Sequence, residues 1–351
     1  GVQTDVASGD AADSVPGDPE MRGAAFEAPP VEEFDVPKGS TRAAADVLLQ
    51  RQIVACDSAS EVLGLFDQWE GLDFQQVHLA ACVNCLTKCT LTAADRRDER
   101  IERLVERCTL TVADWTARNL ANVVWGVATI GGIRATRQLF EAVADDAPQK
   151  MGAFKPQELA NMVWAYSTVG IKAPALFAAI AADAPKKMNV FKSQELAVVV
   201  RAFAKLNVPA PALFEACAIA AEKKIEHYDS HSLAQTAWAY TTANVRAPAL
   251  YRAVAKQAQS SADEFNAQEM ANTVWAFAKA GAHAPGMFEA VAASAPKKMA
   301  TFTAQNLANT VWAYSKARVD APALYEAIAA EALAKVKSFN AQDLSNTVWA
   351  F

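Results

Sequence analysis

Residues 271–277 read ANTVWAF, residues 308–314 read ANTVWAY, and residues 345–351 read SNTVWAF. The tryptophan of this string falls at Trp125, Trp164, Trp238, Trp275, Trp312 and Trp349, at intervals of 39, 74, 37, 37 and 37 residues. The 74 is two periods of 37, with Arg201 standing in the tryptophan slot of AVVVRAF. Seven slots in one register define an internal repeat, which has to be recognised before any domain count is attempted.

Working outward from the string, an aromatic residue stands ten positions before each slot: Trp115, Phe154, Phe191, Tyr228, Phe265, Phe302 and Phe339. The next residue is often a helix N-cap type (Thr116, Asp229, Asn266, Thr303, Asn340), followed three residues later by a polar or acidic one such as Glu269 or Asp343. That spacing is a capping box. The aromatic at N′ and an apolar N4 residue, Met270 or Leu344, supply the hydrophobic staple. A first helix, helix A, therefore starts just after each aromatic. It ends near Gly170, Asn207, Asn244 and Gly281, residues that accept the left-handed conformation after a helix. Prolines at 174, 211, 248, 285 and 322 mark the first turn of a second helix, helix B, whose apolar residues recur at i, i+3, i+4 and i+7. A further proline at 148, 185 or 296 predicts an early end to helix B in those repeats.

Each unit is thus an antiparallel helix pair of about 37 residues that cannot bury both faces alone. The expected fold is all-α, an α-solenoid of stacked pairs. Residues 115–351 form the array, ending inside a seventh unit, so the polypeptide is expected to continue. Residues 41–114 read as degenerate repeats serving as an N-terminal cap. Phe74 and Leu79-Ala80 match repeat positions, Asn84 takes the tryptophan slot, and 92–108 make a charged helix B.

Apolar residues make up 52% of the 351 and charged residues 21%, which excludes wholesale disorder. The net charge of −6 argues at first sight against nucleic acid. Residues 1–40, however, hold nine acids and two bases, leaving 31 bases and 30 acids for the rest. The leader reads as extended or disordered, pinned at most by Phe26 or Phe34. It is too acidic for an intact transit peptide, and the start at Gly1 fits a processed or truncated form. No apolar window is long enough for a membrane span. Six cysteines in a large alanine-rich chain do not form a disulfide framework.

The repeat columns carry the functional candidates. The tryptophan column reads as inter-repeat core, with a base-stacking platform as the alternative. On the opposite side of helix A the sequence reading places an amide column, Asn122, Asn161, Gln235, Asn272, Asn309 and Asn346, with Val198 as a departure. One turn or two further on stand Lys205, Lys279 and Lys316. Amides read base edges and lysines neutralise phosphates, so the face suits single-stranded RNA; a scaffold ladder of asparagines is the other reading. More variable positions, Asn119, Glu158, Glu195, Ser232, Glu269, Asn306 and Asp343, suit sequence readout better, although their acids would repel phosphate. So do Val123, Met162, Thr236, Thr273 and Thr310. A lysine pair, Lys186-Lys187, Lys223-Lys224 and Lys297-Lys298, forms a basic edge that either tracks phosphates or complements helix C-termini.

His78, Cys82, Cys85 and Cys89 share one helix face but stretch over about 16 Å, too far for one tetrahedral ion. They read as a buried soft stripe, and no metal or cofactor is expected. With four histidines and none of the common phosphate-loop, metalloprotease or nucleophile motifs, an enzyme is not expected either.

The repeats L-A-N-x-V-W-A-[FY]-[AS] and A-P-A-L-[FY]-E-A resemble the octotricopeptide repeat family over 115–351. The segments QRQIVACDSASEVLGLFDQW (50–69) and FQQVHLAACVNCLTK (74–88) resemble the N-terminal part of related algal and protist organelle proteins, often built with a RAP domain. The resemblance implies an organelle RNA-binding protein of the chloroplast or mitochondrion, acting in RNA processing, stability or translation at about one nucleotide per repeat. Since some relatives serve in ribosomes, it leaves open an architectural subunit of a large protein or ribonucleoprotein complex.

Overall fold

The computed structural model describes residues 41–69 and 74–351, with side chains placed from Asp46. The leader and its expected order lie outside these residues. Seventeen α-helices and no strand occur among the described residues. Two pairs come first: α1 (Thr41–Val54) with α2 (Ala59–Trp69), and α3 (Gln76–Lys88) with α4 (Glu99–Thr111). The A helices of the repeats are α5 (Ala117–Ile130), α7 (Pro156–Val169), α9 (Ser193–Lys205), α11 (Ser230–Thr242), α13 (Ala267–Ala280), α15 (Ala304–Ala317) and α17 (Ala341–Ala350). The B helices are α6 (Thr136–Asp146), α8 (Pro174–Asp183), α10 (Pro211–Lys224), α12 (Pro248–Ser260), α14 (Pro285–Ser294) and α16 (Pro322–Ala334).

The A helices pack side by side in one continuous row from α1 through α3 and α5 to α17. The B helices form a second row outside it, in sparser mutual contact. The cause is side-chain size. In α13 the flanks facing neighbouring A helices carry Ala271 and Ala278 on one side and Thr273 and Ala276 on the other, all buried. Small flanks let the backbones of neighbouring A helices approach closely. Gly126 shows the tightest case, since a Cβ there would meet Val83 Cγ1 at 2.5 Å. The other tryptophan-bearing repeats that continue past this position have alanine there.

Between the rows lies an aromatic core. Tyr166, Phe203, Tyr240, Phe277 and Tyr314 point from the A helices into the B row and are fully buried. Tyr166, Tyr240 and Tyr314 each donate a 2.6 Å hydrogen bond to a backbone carbonyl of the preceding B helix, on Phe140, Phe214 and Phe288. A buried phenol needs such a partner. The rings stack edge-on with the same B-helix phenylalanines, at 5.2 Å for Phe214–Tyr240 and 5.1 Å for Phe288–Tyr314.

The punctuation follows the sequence. Gly170, Asn207, Asn244 and Gly281 have φ of 74°, 54°, 53° and 64°. Arg318 adopts the same left-handed conformation, φ 56°, where the sequence offers no glycine or asparagine. Pro174, Pro211, Pro248, Pro285 and Pro322 open the B helices. Where the later proline is present, α8 and α14 stop after 10 residues and continue as 3-10 turns; where it is absent, α10 and α12 run for 14 and 13.

Candidate nucleic-acid interface

On the later A helices one side is only partly covered, whereas its counterpart on α5 and α7 is largely buried, with Asn161 1% and Trp164 7% exposed. In α13 the partly covered side carries Gln268, Asn272, Trp275 and Lys279, spaced i, i+4, i+7 and i+11. Met270, Val274 and Phe277, on the far side of the same helix, are buried against the B row. Repeated along the array, the open stripe reads Arg118-Asn122-Trp125-Thr129, Gln157-Asn161-Trp164-Thr168 and Gln194-Val198-Arg201-Lys205. It continues as His231-Gln235-Trp238-Thr242, Gln268-Asn272-Trp275-Lys279, Gln305-Asn309-Trp312-Lys316 and Gln342-Asn346-Trp349.

This arrangement corrects the sequence reading at the tryptophans. The amide and tryptophan columns were expected on opposite sides of helix A, but three residues along an α-helix place them about 60° apart, on one face. Trp125 and Trp164 belong to the inter-repeat core, as the sequence reading had it, while the later tryptophans are only partly covered. Trp125 and Trp164 are 9% and 7% exposed, Trp238, Trp275 and Trp312 are half-buried, and Trp349 is exposed. Trp238, Trp275 and Trp312 pack against that core, and two pairs of tryptophan rings meet along the stripe. Ring centroids lie 6.3 Å apart for Trp125–Trp164 and 6.4 Å for Trp312–Trp349, tilted by 40° and 36°. Cations join the tryptophans: the Arg201 guanidinium lies over Trp238 at 5.1 Å and Lys279 Nζ over Trp275 at 4.6 Å.

Among the amides, Asn122, Asn161 and Gln235 form a buried floor, while Asn272, Asn309 and Asn346 are half-buried. Both polar atoms of the Asn161 amide lack a protein hydrogen-bond partner, although the residue is only 1% exposed. Lys205, Lys279 and Lys316 stand exposed at the far end of the stripe. The stripe contains Arg118, Arg201, Lys205, Lys279 and Lys316 but no aspartate or glutamate in any repeat. The chain is acidic overall, yet this surface is cationic.

The acids expected nearby are spent elsewhere. Glu158 accepts from the backbone N–H of Lys155 at 2.8 Å, Glu195 from Lys192 at 2.7 Å and Glu269 from Asn266 at 3.0 Å. Asn306 and Asp343 do the same for Thr303 and Asn340 at 3.1 and 3.2 Å. The amide N–H of Asn119 and that of Ser232 donate to the cap side chains of Thr116 and Asp229. All seven are buried in the capped first turns of their helices, five of them through capping side chains. Val123, Met162, Thr236, Thr273 and Thr310 are buried as well, between adjacent A helices. Burial pushes the Glu195 carboxyl up, only partly offset by its capping bond. At Glu269 burial acts in the same direction, but hydrogen bonds from His231, Asn266 and Ser230 together hold it below the ordinary carboxylate range.

The lysine pairs split. Lys187 Nζ donates to the carbonyls of Phe154 at 2.7 Å, Met151 at 3.3 Å and Gly152 at 3.4 Å, and pairs with Asp183 at 2.5 Å. Lys224 makes the same bonds to Phe191, Asn189 and Met188, and Lys298 to Phe265 and Asp263. Lys150 and Lys335 repeat the motif on Trp115 and Phe302. These ammoniums staple the end of one repeat to the next, satisfying carbonyls left over at a 3-10 terminus. They are not an edge of phosphate-seeking charges. Lys186, Lys223 and Lys297 of the same pairs are exposed, Lys186 and Lys297 within reach of Asp183 and Asp263.

His78 uses both ring nitrogens on backbone, 3.1 Å from the Gln75 N–H and 3.1 Å from the Asp46 carbonyl. Cys82, Cys85 and Cys108 are buried, and burial raises the Cys85 thiol to about 11. No cluster suited to a metal ion occurs among the described residues. No helix among them is long and apolar enough to cross a membrane.

Sequence reasoning missed the first position of the stripe, Arg118, Gln157, Gln194, His231, Gln268, Gln305 and Gln342. The signal was present: each stands seven residues, two helical turns, before the tryptophan slot.

A model of the family described as RNA-editing substrate-binding complex 6 protein matches residues 70–295, more than half of the chain. A second model, described as a protein of unknown function, matches residues 312–348. No curated protein matches the chain.

Proposed function

Because the chain belongs to the RNA-editing substrate-binding complex 6 protein family, we propose that it is a non-enzymatic RNA-binding subunit of an organelle RNA-processing complex. Its open A-helix stripe is the surface that takes single-stranded RNA. The observation that carries this reading is the composition of the stripe: amides, recurring tryptophans and five cations, with no acid in seven repeats. Single-stranded nucleic acid is held by stacking of bases on aromatic rings combined with a cationic track for the backbone, and both are here on one face. The address we propose is the mitochondrion, which the RNA-editing complex family shares in kinetoplastids. The octotricopeptide resemblance of the repeats supports an RNA-facing A row.

The partners proposed are RNA and the other subunits of such a complex. The stripe serves the first, and the outer B row remains for the second. Binding of a labelled single-stranded RNA of about eight nucleotides, measured by anisotropy across a salt series, tests the reading. Replacing Lys205, Lys279 and Lys316 by threonine, the residue of the other repeats, should weaken binding and flatten the log–log salt slope by about 2, at roughly 0.7 per phosphate. Unchanged affinity and slope would show that the RNA lies elsewhere.

A further inference from the structure

From α13 onward the stripe stops varying. The sets on α5, α7, α9 and α11 all differ from one another, whereas α13, α15 and α17 carry the same glutamine, asparagine and tryptophan at the same positions, with Lys279 and Lys316 closing the first two sets. Helices α13 and α15 are both 14 residues long and differ only at Glu269 against Asn306, Met270 against Leu307, Phe277 against Tyr314 and Ala278 against Ser315. All four of these residues in α13 are buried, in the capped first turn, the core or a flank. The differences therefore fall where the helix is covered, and the sameness falls where it is partly open. Packing does not account for that, because a partly solvated position accepts many side chains at little cost.

The repeated set is placed to make the same contact several times over. Helix α13 packs against α15, and α15 against α17, so equal residues recur at one helix spacing, about 8–10 Å. Asn272 and Asn309 are half-buried, and among the described residues neither side-chain amide has a protein hydrogen-bond partner. An amide sets an acceptor beside a donor. A base edge that offers a donor beside an acceptor pairs with it in two hydrogen bonds, as adenine does. Trp275 and Trp312 stand partly covered beside the amides, and Lys279 and Lys316 are exposed at the end of each set.

We infer that α13, α15 and α17 select a run of one repeated base, so that the RNA taken by this protein contains a homopolymeric stretch. This rests on the single-stranded RNA reading of the stripe. Helical repeat readers take one base per repeat through two or three side chains. Where those side chains are the same in successive repeats, the base preferred at one step is preferred at the next. A mixed sequence then leaves some repeat facing an ill-fitting base edge. The closed stripe of α7 adds no reading of its own, since Asn161 is 1% exposed.

The test uses the whole chain and eight-nucleotide RNAs. Homopolymers of adenylate, uridylate and cytidylate first identify the base that binds best and the one that binds worst. Two strands of equal composition are then compared, one with four of the better base followed by four of the poorer, the other strictly alternating. Length, charge and base content are the same, so stacking strength and phosphate contacts do not separate them. The blocked strand should bind about tenfold more tightly, because every register of the alternating strand puts the poorer base on at least one of the three repeats. Asn309→Val, which places in α15 the residue that Val198 supplies in α9, should shrink that difference to about twofold. Its salt slope should not change, since no cation is touched. Equal binding of the blocked and alternating strands by wild type, a comparison that needs no substitution, overturns the run and leaves the RNA reading standing. A difference that survives undiminished in Asn309→Val overturns the amide as its reader. If wild type binds none of the RNAs, the RNA reading falls and the run with it.

Discussion

Lys186 and Lys187 are adjacent and chemically identical, yet the structure gives them different work. Lys187 Nζ reaches three carbonyls of the preceding repeat and the Asp183 carboxylate, and its side chain is 20% exposed. Lys186 is 72% exposed and lies 3.8 Å from Asp183. Lys187→Met keeps the aliphatic stem and removes the charge. It leaves the Asp183 carboxylate, 12% exposed, with only Lys186 at 3.8 Å, and the carbonyl of Phe154 without its ammonium donor. A hydrogen bond to a charged group contributes roughly 1.5–3 kcal/mol, and a buried carboxylate that loses its nearer cation costs about as much again at most. Solvent access lowers the sum, so a loss of about 2–3 kcal/mol is expected. Lys186→Met should stay within about 0.5 kcal/mol. A repeat array opens in parts rather than all at once, so the readout is native-state hydrogen exchange, local to residues 147–167. Amides there should exchange about 30-fold faster or more in Lys187→Met, with those of α15 unaffected. Equal behaviour of the two variants would refute the staple. Neither substitution should shift RNA affinity more than about twofold, which separates this column from the stripe.

The same column lacks its lysine once, at Ser261, which stands 33 residues after Tyr228 as Lys187 does after Phe154. Ser261→Lys should stabilise that junction by about 0.5–1 kcal/mol, read as a higher melting temperature. Arg318 occupies a left-handed position, φ 56°, that costs a side-chain-bearing residue about 1–2 kcal/mol. Arg318→Gly should return about 1 kcal/mol in urea denaturation, with the greater freedom of glycine in the unfolded chain offsetting the rest. Gly126→Ala should destabilise by about 1–3 kcal/mol, because its Cβ would meet Val83 at 2.5 Å. Glu195 and Glu269 hold equivalent caps but should titrate apart, as carboxyl chemical shifts would show. Burial raises Glu195, so the folded state takes up its proton first as pH falls and gains stability from it. Burial is outweighed at Glu269 by its hydrogen bonds. Its contribution is therefore present above the unfolded glutamate pKa of about 4.3 and lost as pH falls through its own lower value.

The helix pairs were legible because their punctuation is local. Aromatic, cap, proline and left-handed residue each fix the backbone within a few positions, so Asn244 or Pro248 announces its role without its neighbours. The division of helix A into faces was less legible. Both flanks are covered by other A helices, so apolar residues occur nearly all round the helix, and hydrophobicity alone does not separate Trp275 from Phe277. What separates them is alanine and threonine at 271, 273, 276 and 278. Those small flanks leave the stripe of Gln268, Asn272, Trp275 and Lys279 as the side that its neighbours cover only in part. Lys186 and Lys187 were inseparable in sequence because a pair of adjacent lysines reads alike from either end. Only the placement of the preceding repeat's carbonyls decides which one turns inward. The cap acids misled for the opposite reason: Glu158 and Glu269 vary between repeats as a code would, but their variation follows the tolerance of a cap.

The central claim is that RNA lies on the tryptophan-bearing stripe, and indole emission reports on that contact directly. Six of the eight tryptophans belong to the stripe; Trp69 and Trp115 do not. Titrating the chain with an eight-nucleotide single-stranded RNA, while following tryptophan fluorescence and RNA anisotropy together, should show quenching that saturates in step with binding. RNA that binds while the emission stays unchanged, or no binding at all, would contradict the account.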